Sequence, residues 1–194
     1  MKLIGISGTN GAGKDSVGEY LQDKHGFLFI SVTDLLRDEA KRRGLSTERI
    51  HLRTISAEWR RESGLGVLID KAVELYKDRL SKGQSYSGLV VSSLRNGGEA
   101  DSVHSFGGKV VWIDADTKLR YDRIHSRNRE DDRISFEEFE QQQAAEMIRP
   151  EGADEATLST VDVKDKSDVT LMNNGTTLEE LDEQVDKLLK ELYG

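Results

Sequence analysis

The sequence predicts an α/β fold, a three-layer domain around a five-stranded parallel sheet, and two observations carry that prediction. Short apolar runs alternate along the chain with stretches of helical periodicity, the pattern of repeated βαβ units. Between the first run and the first helical stretch lies Gly8-Thr9-Asn10-Gly11-Ala12-Gly13-Lys14-Asp15-Ser16, with Gly8, Gly13 and Lys14 at the spacing of a phosphate-binding loop. Glycines let the backbone curl until successive N–H groups point inward, and the helix that follows adds its positive N-terminal end. Lys14 brings a compact positive charge to the β- and γ-phosphates of a bound ATP. An ordinary glycine turn with a surface lysine does not account for the strand before it and the helix after it. The expected architecture is therefore a P-loop NTPase domain spanning residues 1–194.

Each element follows from local pattern. Leu3, Ile4 and Ile6 mark the first strand, and Val17, Tyr20 and Leu21 the loop helix. Gly26 breaks that helix, and Phe27-Leu28-Phe29-Ile30 reads as the second strand. Ser31-Val32-Thr33-Asp34 opens a helix through Leu35, Leu36 and Ala40 to a stop at Gly44. A second helix is expected from Ser46 to about Glu62, with Ile50, Ile55 and Trp59 buried, and a third from Leu65 to Leu80. Leu89-Val90-Val91 is a fully apolar strand, followed by a helix from about Gly98 to Phe106 and a turn at Gly107-Gly108. Val110-Val111-Trp112-Ile113 forms the fourth strand, closed by Asp114, and Thr117 to Arg129 reads as a basic helix. Ser135 and Glu138 have capping-box spacing and open a helix to about Ile148, before Pro150. Residues 151–167 are polar and weakly patterned, and read as a loop. Val169-Thr170-Leu171-Met172 is the last strand, and Thr177 with Glu180 caps a final amphipathic helix.

Bulk composition narrows the function classes. A 36% hydrophobic, 33% charged chain without cysteine excludes disulfide scaffolds, thiolate metal sites and cysteine nucleophiles. The net charge of −8 argues against general nucleic-acid binding, which favours a basic face. Met1-Lys2-Leu3 enters a strand directly and no apolar run is long enough to span a bilayer, so the expectation is a cytoplasmic protein with no membrane partner, monomeric by default.

In parallel sheets of this kind ligands bind beyond the carboxyl ends of the strands. Polar patches stand at each expected end: Thr33-Asp34 with Arg37, Ser92-Ser93-Leu94-Arg95, Asp114-Ala115-Asp116, and Asn173-Asn174-Gly175. Arg37 and Arg95 can fork onto a second phosphorylated molecule facing the nucleotide, or pair on the surface with Asp38 and Glu99. Asp34 can orient or deprotonate an acceptor, hold Mg²⁺ through water, or cap its helix. Arg123, Arg127 and Arg129 together fit mobile arginines that close over a transferring phosphoryl group, whereas Arg120 alone reads as a solvated helix residue. Asp15 stands where Ser or Thr commonly touches Mg²⁺; the ion is held through Ser16 or water, or Asp15 itself contributes the charge.

These residues, in this order, resemble the adenylate-kinase-like nucleotide kinases, in particular an archaeal-type branch labelled dephospho-CoA-kinase-like or nucleotide-kinase-like. The Gly-Lys-Asp form of the loop is also similar to phage deoxynucleoside monophosphate kinases and animal-type phosphomevalonate kinases. The resemblance implies that Lys14 and the amides of Asn10, Gly11, Ala12 and Gly13 hold ATP phosphates, and that Arg37, Arg60 and Arg95 hold the acceptor. It also implies that Arg123, Arg127 and Arg129 belong to a lid and that Asn173 to Thr176, Gly175 included, lie near the adenine ring. By the same resemblance, residues from about 34 to 85 form an acceptor-binding helical region and those from about 117 to 150 the lid. Two positions depart from the pattern. Ser92-Ser93 replaces an Asp-Gly pair, and Gln141-Gln142-Gln143 fills a stretch where relatives often carry an arginine.

The expected activity is Mg²⁺- and ATP-dependent phosphotransfer to a small phosphorylated acceptor, foremost a nucleoside or deoxynucleoside monophosphate. A dephospho-CoA kinase and a nucleotide-binding regulatory module are the alternatives, the second favoured by Ser92 in place of a carboxylate.

Overall fold

The computed structural model describes residues 1–126, 134–147, 152 and 154–194. Leu3–Gly8 (β1) leads through the loop into Lys14–His25 (α1), and Phe27–Ser31 (β2) into three successive helices, Val32–Arg42 (α2), Arg49–Ser63 (α3) and Val67–Ser81 (α4). Gly88–Ser92 (β3), Gly97–Ser105 (α5) and Lys109–Asp114 (β4) continue the alternation. Thr117–Ser126 (α6), Phe136–Glu146 (α7) and Thr160–Asp165 (α8) precede Val169–Met172 (β5) and Leu178–Tyr193 (α9). The sheet order is β2-β3-β1-β4-β5 and every pair is parallel.

The strands read as continuous apolar runs because both faces of the sheet are covered. Leu3, Leu89, Val91 and Val110 point into one core, shared with α2 to α5 and α8. Their neighbours Ile4, Ile6, Val90, Val111 and Ile113 point into the other, shared with α1 and α9. Among the described residues no helix is long and apolar enough to cross a membrane.

The capping boxes read at Ser135 and Thr177 are formed: each hydroxyl accepts the N–H of the glutamate three residues on, at 3.1 and 3.2 Å. A third, at Asn96 and Glu99, starts α5 one residue before the expected Gly98. Other expectations are corrected. α3 begins at Arg49 rather than Ser46, and Ile50 in its first turn is 64% exposed rather than buried. Trp59 is half-buried, with the Lys71 ammonium 4.4 Å from the centre of its ring. Within the expected loop 151–167 lies α8, whose Val163 is fully buried in the core; six residues carry too little periodicity to be read as a helix. The basic helix is described to Ser126, and the expected Arg129 and Pro150 termini lie outside the described residues.

Candidate functional site

Strand register brings the polar strand ends to one edge. Ser31 and Ile6 flank Ser92, Gly8 lies beside Ile113, and Asp114 beside Met172. The residues that follow each strand therefore surround the loop between β1 and α1. That loop needs glycine where the backbone turns left-handed: a Cβ at Gly8 (φ 143°) would fall 1.9 Å from the Ile113 carbonyl oxygen, and one at Gly13 (φ 97°) 2.7 Å from Asn173 Nδ2.

Neighbouring elements lock the loop in place. The Thr9 N–H donates to the Ile113 carbonyl at 3.2 Å and the Thr9 hydroxyl to Asp114 Oδ1 at 2.7 Å. Asn173 donates its side-chain amide to the Ala12 carbonyl at 2.8 Å, while its own Oδ1 is buried without a hydrogen-bond partner among the described residues. Lys14 Nζ reaches back over the loop, 2.9 Å from the Gly8 and 2.7 Å from the Thr9 carbonyl oxygen.

Arg120 departs from the solvated reading. It is 2% exposed, and its guanidinium donates to the Ala115 carbonyl at 2.7 Å, to Thr117 Oγ1 at 3.1 Å and to the Asn10 carbonyl at 3.4 Å. Burial pulls its pKa down from the ordinary arginine value, and Asp114 and Asp116 oppose that shift. An arginine remains charged at neutral pH after such a shift, so it adds a fixed positive charge behind the loop. Its spacing offered one signal: it lies in the first turn of α6, directly after the polar Asp114-Ala115-Asp116 strand end.

Arg123 forks onto two carbonyls after β5, Asn173 at 3.0 Å and Gly175 at 2.7 Å. It thereby joins α6 to the segment expected near adenine. Arg127 and Arg129 lie outside the described residues.

On the β2 side, Asp34 occupies the first turn of α2 and is not its cap, which is Ser31. Its carboxylate receives a 2.8 Å bond from Arg37, and both side chains are largely in solvent, 65% and 47% exposed. Arg37 thus pairs with Asp34 rather than with Asp38. Arg95 follows β3, half-buried, its N–H held by Glu99 at 2.7 Å and its carbonyl by the Ser159 N–H at 2.8 Å.

Arg60, expected at the acceptor, is paired inside the protein. It is 3% exposed and bonds Glu99 at 2.6 Å, with longer contacts to Ser56 Oγ and the Ala156 carbonyl, both 3.3 Å. A guanidinium so enclosed ties α3 to α5. Glu99, fully buried, also takes the Asn96 N–H at 3.2 Å, so this ion pair fixes the turn that carries Arg95.

A small cleft, with room of about 40 Å³, lies between the loop residues Gly8, Thr9 and Asn10 and the α7 residues Phe139, Gln142 and Gln143. Gln143 Oε1 is buried there with no hydrogen-bond partner among the described residues. Two of the three glutamines that depart from the resemblance thus meet the loop across a cavity.

A divalent cation accompanying ATP would find its donors beside Lys14. Asp15 Oδ1 lies 3.5 Å from Ser92 Oγ, and Ser16 follows on the same helix turn. Among the described residues no group of three or more acidic or histidine side chains is placed to hold a metal ion, so such an ion would complete its shell with phosphate oxygens and water.

Comparisons with known proteins agree with this fold. The family model described as AAA domain matches residues 4–146. A UPF0200 protein of Pyrobaculum aerophilum is 28% identical over 99% of both chains. Another, of Methanothermobacter thermautotrophicus, is 30% identical over 76% of this chain and 73% of its own. Among solved structures, shikimate kinase from Acinetobacter baumannii, in complex with shikimate, superposes with a TM-score of 0.61 over 100% of this chain and 95% of its own, at 16% identity. Shikimate kinase from Bacteroides thetaiotaomicron gives 0.60 over 98% of each chain, at 12% identity.

Proposed function

The chain belongs to the AAA domain family of P-loop NTPases and to the UPF0200 proteins, and we propose that it is an ATP-dependent kinase of a small phosphorylated acceptor, foremost a nucleoside or deoxynucleoside monophosphate. The observation that carries this reading is the edge itself: Lys14 on its locked loop, with Arg37 on the helix after β2 and Arg95 just after β3, the two strands on one side of β1.

In this mechanism the loop amides of Asn10 to Gly13 and Lys14 bind the β- and γ-phosphates. Lys14 exchanges its two carbonyl partners for phosphate oxygens. Arg37 and Arg95 fork onto the acceptor phosphate, and Asp34 sets the orientation of Arg37. An oxygen of the acceptor phosphate attacks the γ-phosphorus in line as the bond to the β–γ bridging oxygen breaks. ADP leaves with that electron pair, and no covalent enzyme intermediate forms. Arg123, Arg127 and Arg129 supply positive charge to the transferring group as the lid closes and water is excluded. Asp15, with a neighbouring hydroxyl from Ser16 or Ser92, would hold an accompanying Mg²⁺ directly or through water, and the ion would supply further charge neutralisation on the phosphates.

An ADP-release assay over AMP, CMP, UMP, GMP, the deoxynucleotides, dephospho-CoA and phosphomevalonate tests the reading. Arg37→Ala or Arg95→Ala is expected to raise the KM of the accepted substrate roughly ten- to a hundredfold, the worth of one charge-assisted bond. Unchanged KM values in both variants would remove the acceptor assignment.

A second reading, a hydroxyl acceptor as in dephospho-CoA kinase, is favoured by the Asp34 carboxylate at the strand end and by the likeness to shikimate kinases. Asp34 would then take the hydroxyl proton as general base. Turnover with dephospho-CoA alone in the panel would establish this reading instead.

A further inference from the structure

We propose that the two protein donors to the nucleotide's divalent cation are exchanged between the loop helix and the third strand: Asp15 supplies the carboxylate and Ser92 the hydroxyl. This rests on the nucleotide-binding reading above. In P-loop sites a hydroxyl ordinarily follows the lysine, and a carboxylate ends a neighbouring strand. Here the residue types are reversed, yet the pair keeps the same composition, one carboxylate and one hydroxyl.

Geometry places the two together. The register Ile6 opposite Ser92 puts the end of β3 beside the start of the loop. Ser92 lies two residues beyond Val90, which packs in the α1-side core, so its hydroxyl points towards α1 and comes to 3.5 Å from Asp15 Oδ1. Ser92 is fully buried while Asp15 is exposed, giving one donor at the floor of the site and one at its mouth. The next residue, Ser93, is the one non-glycine residue at positive φ (72°) among those described, a strained state that concentrates at functional turns.

The other carboxylates that follow the strands are engaged elsewhere. Asp114 accepts from Thr9 and from the Ala115 N–H and faces Arg120. Asp34 is paired with Arg37. Asp116, past β4, acts by its charge on Arg120. Asp15 also sets a negative charge next to the triphosphate. Without a cation between them the two repel, so nucleotide affinity must depend on the metal through this side chain.

The test uses binding and needs no turnover. Affinity for a non-hydrolysable ATP analogue is measured by calorimetry with Mg²⁺ and with EDTA, for the wild type, D15S, S92D and D15S/S92D. Mn²⁺ replaces Mg²⁺ in parallel, and its bound spectrum is read by electron paramagnetic resonance. The wild type is expected to bind at least tenfold more tightly with metal. D15S loses most of that gain and the double variant, its carboxylate restored on β3, regains it. D15S with the wild-type ratio, or a double variant no better than D15S, overturns the exchange. Should the double variant fail to fold, Asp15→Asn decides: retention of the wild-type metal dependence and Mn²⁺ spectrum refutes the proposal, and their loss supports it. A wild type that binds the analogue in neither condition defeats the nucleotide reading itself, an outcome distinct from failure of the exchange alone.

Discussion

At the scale of single residues, the glycines and lysine of the loop were legible because their requirements are local. Backbone at φ 143° and 97° against neighbouring atoms needs glycine whatever the rest of the molecule does. Arg60 and Arg120 were not legible, because the same side chain is a surface cation or a buried tie according to what packs over it. Nothing in a helical sequence announces Glu99 opposite Arg60. That pair makes a sharp prediction. Glu99→Gln leaves a buried guanidinium without its counter-charge and loosens the bonds to the Arg95 and Asn96 N–H groups. Removing one partner of a buried pair is strongly destabilising, so unfolding free energy in urea should fall by about 3 kcal/mol. A loss within about 0.5 kcal/mol, the range of ordinary surface substitutions, would show that the pair is not the tie between α3 and α5.

At the scale of elements, strands and long helices were readable from period, and two of the three capping boxes from spacing. The short helix α8 and the exposed first turn of α3 were not, since both depend on which face a neighbour covers. The packing of α2 on α3 carries its own electrostatic signature. Arg43 bridges Glu39 on α2 and Glu58 on α3 at 2.6 and 2.7 Å. Bonds from Arg42 and then Arg43 hold the Glu39 carboxyl down to about 2 from an ordinary 4.5. The folded state then binds fewer protons than the unfolded one, so stability rises with pH across that interval. The contribution is complete above about pH 4.5 and lost as pH falls towards about 2. Melting curves of wild type and Glu39→Gln should therefore differ most at pH 6 and converge on acidification. A difference that stays constant from pH 6 to pH 3 would contradict this.

At the scale of the molecule, the sheet divides the protein into a face bearing α1 and α9 and a face bearing α2 to α5 and α8. The carboxyl edge between them carries the loop, and the cleft against α7 lies beside it. The three layers were visible in the sequence as an alternation of strands and helices, but not which helices cover which face. Which arginines reach the edge was not, because that is decided by strand register and by ion pairs between distant residues. In the proposed function this edge passes a phosphoryl group from ATP to a second small molecule. Transfer of label from γ-labelled ATP, followed into acceptor and into free phosphate with wild type and Lys14→Ala, tests it most directly. The account predicts label in the acceptor, at a rate that falls at least about a hundredfold in Lys14→Ala. Label released only to water, or acceptor labelling that survives Lys14→Ala undiminished, would contradict it.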